Sequence, residues 1–139
     1  MSALPYQASG VAIGGRGVLI EGPPGSGKSS LALALIDRGA ALIGDDGVLL
    51  ELRGERLWAL PPPNIAGLLE VRNVGLIELP AVAAPIALVA RLHPDAPRHL
   101  ETAERIALAG ADVPLVRLWP GSPVLALRAE WALALHGTD

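Results

Sequence analysis

Hydrophobic residues fall into short runs broken by glycine, proline and charge, and the period of those runs changes along the chain. Gly10-Val-Ala-Ile-Gly-Gly15 and Gly17-Val-Leu-Ile-Glu21 predict two short strands around a turn at Gly15-Arg16-Gly17. From Ser30 to Gly39 the spacing becomes helical, because Leu31 with Leu35 and Ala32 with Ile36 recur at intervals of four. Leu33 and Ala34 widen that stripe, so the helix is expected to lie against a sheet. Arg38 in its last turn and Gly39 just beyond supply the stop. Ala40 to Ile43 then reads as a buried strand ending at Gly44-Asp45-Asp46. Strand, glycine-rich turn, helix and strand make a βαβ unit.

Beyond this point the pattern is one of strands. Gly47 to Leu60 predicts a strand pair turning near Gly54, and Pro61-Pro-Pro63 is a rigid connector. Leu68 to Val71 reads as a turn, followed by a strand from Gly75 to Leu79. Further strands are expected over 85–92, 105–108 and 114–118, and a final apolar helix over about 122–135. His93 to Leu100 is polar and proline-rich, the pattern of a mobile loop. Nothing marks a second domain, so 1–139 is read as one α/β domain.

Composition narrows the function classes. With 51% hydrophobic residues and no repeat, the 16 glycines and 13 prolines indicate turns rather than disorder or collagen. A net charge of -3 supplies no general attraction to nucleic acid or an anionic membrane. Cysteine is absent, which removes disulfides, zinc thiolates and thiol nucleophiles. The amino end lacks the pattern of a signal peptide, and no 18-residue stretch is apolar enough to span a bilayer. A cytoplasmic location is expected.

The chemistry concentrates at Gly22-Pro23-Pro24-Gly25-Ser26-Gly27-Lys28-Ser29, which matches the Walker A pattern of a P-loop without a gap. Glycines let backbone amides turn toward phosphate oxygens, and the helix beginning there, with Ser30 in its first turn, adds its positive dipole end. Lys28 carries a mobile charge to the terminal phosphates of ATP, and the Ser29 hydroxyl is a magnesium ligand. Such a loop needs acidic partners. Asp45 and Asp46 follow the next strand, where one is able to hold metal and the other to take a proton, provided the strand has already ended. Glu70 is a further acid in an apolar segment, and Glu78 a less supported one. Arg72, Arg91 and Arg98 are the basic candidates for steadying transferring charge, with Arg98 in the mobile loop. His93, His99 and His136 lack metal-ligand spacing. Trp58, Trp119 and Trp131 are read as core or subunit-interface residues rather than adenine platforms.

Ser9-Gly-Val-Ala-Ile-Gly-Gly-Arg-Gly-Val-Leu-Ile-Glu-Gly22, the loop, Leu35-Ile-Asp-Arg-Gly39, Leu42-Ile-Gly-Asp-Asp46 and Leu68-Leu-Glu-Val-Arg-Asn-Val-Gly-Leu-Ile77 together resemble the catalytic domain of HPr kinase/phosphorylase. The whole chain resembles the short proteobacterial form, which consists of that domain alone. The resemblance implies a P-loop-containing nucleotide-binding fold of the HPr kinase type, a mixed sheet with few helices. It implies an ATP- and Mg2+-dependent kinase acting on a serine of the phosphocarrier protein HPr or a nitrogen-branch relative. By resemblance Lys28 holds the β/γ-phosphates, Ser29 and Glu70 bind magnesium, Asp45 is the base, Asp46 supports it near the metal, and Arg72 stands beside Glu70. A homo-oligomer, a hexamer in the family, is implied, giving the C-terminal helix and Trp131 a surface to bury against.

The chain departs from the family in three places. Gln7 stands where a histidine is usual, and it carries neither a charge nor a shuttled proton at neutral pH. Asn73 replaces a glycine, and the basic loop is reduced to Arg91, His93, Arg98 and His99. Phosphorolysis is therefore expected to be weak or absent. Two alternatives accompany this reading, a catalytically inactive nucleotide-binding regulatory module and a small-molecule P-loop kinase.

Overall fold

The computed structural model describes residues 3–139. Its centre is a nine-stranded mixed sheet. The strands are β1 (Leu4–Tyr6), β2 (Ser9–Ile13), β3 (Arg16–Glu21), β4 (Ala41–Gly44), β5 (Val48–Arg53), β6 (Arg56–Leu60), β9 (Ala84–Leu92), β10 (Glu104–Leu108) and β11 (Ala111–Leu118). A separate hairpin is made by β7 (Leu68–Val71) and β8 (Gly75–Glu78), and the helices are α1 (Lys28–Asp37) and α2 (Leu125–His136). The strand path runs β1-β5-β6-β9-β3-β2-β4, with β11 added parallel to β9 and β10 paired to β11.

Alternation along β3 and β9 explains two cores. Val18 and Ile20, with Leu88 and Ala90, face α1 and α2 and pack on Leu31, Leu35, Ala129 and Leu133. Leu19 and Val89 point the other way, into a helix-free core closed by Leu50, Leu57 and Leu115. Strands covered on both faces read as unbroken apolar runs, which is the reason these two were visible in the sequence. A bifurcated hydrogen bond from Arg38 Nε to both Glu130 oxygens, each 2.9 Å, ties α1 to α2.

The βαβ expectation holds with one insertion, since β2 lies between β3 and β4 and runs antiparallel to both. The turn between β2 and β3 lies at Gly14 and Gly15, one residue earlier than the pattern suggested, because Ile13 pairs with Arg16. Both glycines have positive φ, 57° and 82°, as a two-residue type I′ turn requires. Leu68–Val71 is a strand and not a turn, since Asn73, at φ 71°, makes the turn two residues beyond Val71. Asparagine tolerates the left-handed region, so it fills the glycine position at little cost. β1 was not anticipated. It is short, contains Pro5, and pairs antiparallel with β5 far along the chain.

The β10–β11 turn has Ala109 at φ 48° beside Gly110 at φ 87°. Alanine carries a steric penalty there that asparagine largely avoids. Ala109→Asn is expected to stabilise the fold by about 0.5–1 kcal/mol, read as a higher urea midpoint at unchanged slope.

None of the tryptophans is a fully buried core residue. Trp58 is half-buried beneath the Arg53 guanidinium, 4.7 Å from the ring centre, while Trp119 and Trp131 are exposed. On α2, Leu127, Trp131 and Leu135 are exposed large apolar residues, with Val124 exposed at its N-cap. Among the described residues no helix is long and apolar enough to cross a membrane.

Candidate active site

The loop from Gly22 to Gly27 joins the end of β3 to the start of α1. Gly22, Gly25 and Gly27 all have positive φ, and Gly27, at 101°, is the N-cap of α1. Gly22 has a second reason to be glycine, because a Cβ there would lie 2.5 Å from Ser26 Oγ. Ser26 N donates to Pro23 O at 3.1 Å and tightens the turn. No side chain caps α1 and no acid stands in its first turn, so its leading amides remain open to an anion. Lys28 Nζ folds back to donate to Gly22 O at 2.8 Å and Pro23 O at 3.2 Å.

The strand does end before the aspartates. β4 stops at Gly44, and Asp46 takes φ 58°, so both acids turn into one space. Asp45 is buried, 8% exposed, and Asp46 is exposed. Asp45 Oδ1 accepts from Ser29 Oγ at 2.6 Å and from Ser9 Oγ at 3.2 Å, and Oδ2 accepts from the Glu70 amide at 3.2 Å. One carboxylate thus joins the start of α1, the start of β2 and the β7–β8 hairpin. Sequence reasoning missed Ser9, a fully buried hydroxyl in this network. Its only signal was a polar residue opening an otherwise apolar strand.

A cavity of about 660 Å³ opens above these groups. One wall is Pro24, Gly25, Gly27, Lys28, Ser29 and Ser30, the floor is Asp45 and Asp46, and the far wall is Ile65, Leu68, Glu70, Arg72 and Leu76. The hairpin therefore brings Glu70 and Arg72 to the loop. Pro23 is exposed on the loop, and Gln7 and Arg98 are exposed outside the cavity lining. Arg91 is committed elsewhere, to Glu21.

The chain is similar to known proteins in sequence and in fold. The family model described as HPr Serine kinase C-terminal domain matches residues 4–85, from β1 into β9. The HPr kinase/phosphorylase of Mycoplasmopsis pulmonis is 42% identical over 72 residues, covering 52% of this chain and 23% of that protein. That of Chlorobium luteolum is 31% identical, covering 88% of this chain and 42% of that protein. The structure of the Hpr(Ser) kinase/phosphatase from Coxiella burnetii superposes with a TM-score of 0.81 at 26% identity, over 94% of this chain and 93% of that one. The chain spans less than half the length of these curated relatives.

Proposed function

The chain belongs to the HPr serine kinase C-terminal domain family, and from that membership we propose that it is an ATP- and Mg2+-dependent protein-serine kinase of P-loop type, acting on HPr or a nitrogen-branch relative. The observation that carries this reading is the 2.6 Å contact between Ser29 Oγ and Asp45, made at the floor of a cavity whose rim is the glycine-rich loop. It joins the residue that opens the helix to the acid that ends the neighbouring strand, the pairing a phosphate-bound metal requires. We read residues 1–139 as one such catalytic domain.

The donor set fits magnesium. Ser29, Asp45, Asp46 and Glu70 offer only hard oxygens to the cavity, with no sulfur or imidazole among its lining. Ser29, Glu70 and Asp46 would hold the ion. When bound, the ion neutralises charge on the β- and γ-phosphates.

The chain's own groups do the rest. Loop amides and the open first turn of α1 cradle the phosphates, and the Ser29 hydroxyl donates to Asp45, which leaves its oxygen lone pairs free. Lys28 exchanges two loop carbonyls for phosphate oxygens. Arg72 lines the same cavity as Glu70 and the loop, within reach of transferring charge. Asp45 is the base for the acceptor hydroxyl by family resemblance, with Asp46 supporting it. One observation favours the reverse division: Asp45 already accepts three hydrogen bonds, whereas Asp46 has none among the described residues. On that division Asp45 rather than Asp46 joins Ser29 and Glu70 at the metal, so Asp46→Asn removes transfer by about 10²–10⁴-fold at unchanged ATP affinity, while Asp45→Asn weakens nucleotide and metal binding as well. If instead only Asp45→Asn has the pure turnover defect, Asp45 is the base.

Gln7 lies outside the cavity lining and has no ionisable group, which supports a forward kinase with weak or absent phosphorolysis. Restoring histidine at position 7 tests that point through phosphate-dependent release from phosphorylated HPr. The exposed apolar side of α2 supports a homo-oligomer, a hexamer in the family reading. The decisive experiment is intact-mass spectrometry of HPr-type proteins incubated with the chain, ATP and Mg2+. A gain of about 80 Da on serine, one phosphoryl group, is expected. Tight nucleotide binding with no gain on any HPr-type protein would replace the kinase by an inactive regulatory module, and phosphorylation of small molecules alone would make it a metabolite kinase.

A further inference from the structure

Glu21 is the last residue of β3 and immediately precedes Gly22. Its side chain is only 10% exposed. Arg91, its register partner on β9, donates to Glu21 Oε1 from Nε at 3.0 Å and from Nη2 at 2.8 Å. Tyr6, at the end of β1, donates its hydroxyl to Oε2. The β3 carboxylate is thus held from two other strands, β9 and β1.

The position makes the pair more than packing. A buried negative charge one residue before a phosphate-binding loop repels the phosphates it must receive, and low dielectric strengthens the repulsion. Arg91 cancels that charge at its source. Tyr6 adds a connection: three residues on, Ser9 donates to Asp45. The segment 6–9 therefore runs between two carboxylates that flank the loop, Glu21 at its root and Asp45 beneath Ser29.

We propose that Tyr6, Glu21 and Arg91 form a charge-neutral clamp at the root of the loop. In it Arg91 is a positioning residue that offsets the Glu21 charge next to the loop, and Tyr6 ties the clamp to the segment carrying Ser9. The inference rests on the phosphate-binding reading of the loop.

Arg91→Gln is expected to weaken MgATP binding about tenfold, equivalent to ~1.4 kcal/mol. The double variant Glu21→Gln/Arg91→Gln removes the exposed cause and should return affinity to within about threefold of the unaltered chain, a coupling that lost packing does not produce. A double variant as weak as Arg91→Gln alone would overturn the clamp and make Arg91 a direct nucleotide contact. A second readout needs no nucleotide. Tyr6 is the only tyrosine, so phenolate absorbance reports it alone. Burial, then the Glu21 hydrogen bond and charge, push its ionisation well above the ordinary tyrosine value, and Arg91 pulls it down. These two are the charged groups facing it, from β3 and β9. Glu21→Gln should lower the titration midpoint and Arg91→Gln raise it. Midpoints that do not move would refute the clamp. Opposite shifts in a chain that binds no MgATP would keep the contacts but overturn their phosphate role together with the loop reading.

Discussion

Lys28→Ala is expected to abolish measurable transfer to HPr, a loss of at least about 10²–10³-fold in turnover, and to weaken ATP binding about tenfold. The reason is geometric. Lys28 sits at the first position of α1, and Nζ reaches back over the loop to two of its carbonyls, 2.8 and 3.2 Å away. Those carbonyls are uncharged acceptors, and a phosphate oxygen, which is an anion, offers the ammonium a stronger partner in their place. The side chain is only partly buried and packs in neither core, so the variant should melt with the unaltered chain. Loss of transfer without loss of stability separates chemistry from folding. Lys28→Arg should recover little, because a planar guanidinium does not present the compact charge of an ammonium at this turn. Normal turnover in Lys28→Ala, measured by HPr mass shift over time, would remove the loop from the transfer site.

The parts of this site visible in the sequence were those in which a residue's requirement is local. The glycine spacing, the helical interval of Leu31 and Leu35, and the break after Gly44 all express backbone needs within a few residues, and each was legible. Asn73 was legible as a departure but not as a solution, because its φ of 71° becomes known only when the hairpin is seen. What stayed hidden depends on residues brought together across the sheet. Arg91 read as a candidate phosphate contact, yet its partner Glu21 stands 70 residues earlier and meets it through parallel pairing of β3 and β9. Ser9 and Asp45 are 36 apart and meet where β4 pairs with β2. Periodicity gives a strand's faces and not its neighbours, so the fork at β9, which pairs with β3, β6 and β11, was beyond it. β1 left no pattern at all in three residues that include a proline.

The corner that turns the two aspartates inward carries the second large effect. Gly44 ends β4, and a Cβ built there would lie 2.2 Å from the Gly47 carbonyl oxygen and 3.0 Å from Pro62 Cδ. The first neighbour is backbone and the second a ring tied to the proline connector, so neither yields by a rotamer change. Gly44→Ala must open the 44–47 corner, at a cost of about 3 kcal/mol. It would also pull Asp45 from the hydrogen bonds it accepts from Ser29, Ser9 and the Glu70 amide. Transfer should fall at least as far as in Asp45→Asn, since the metal side and the proton side of the site are disturbed together. Gly47→Ala is the control. A Cβ there meets nothing within 4 Å, and its stability should stay within about 0.5 kcal/mol of the unaltered chain. Urea midpoints and HPr phosphorylation rates measured for both variants decide the matter. A stable but inactive Gly44→Ala would mean that the corner relaxes and that Asp45 alone bears the loss. An active, stable one would mean that the Ser29–Asp45 contact survives a shifted corner, and the geometry at its floor would then be set by the hairpin carrying Glu70 rather than by β4.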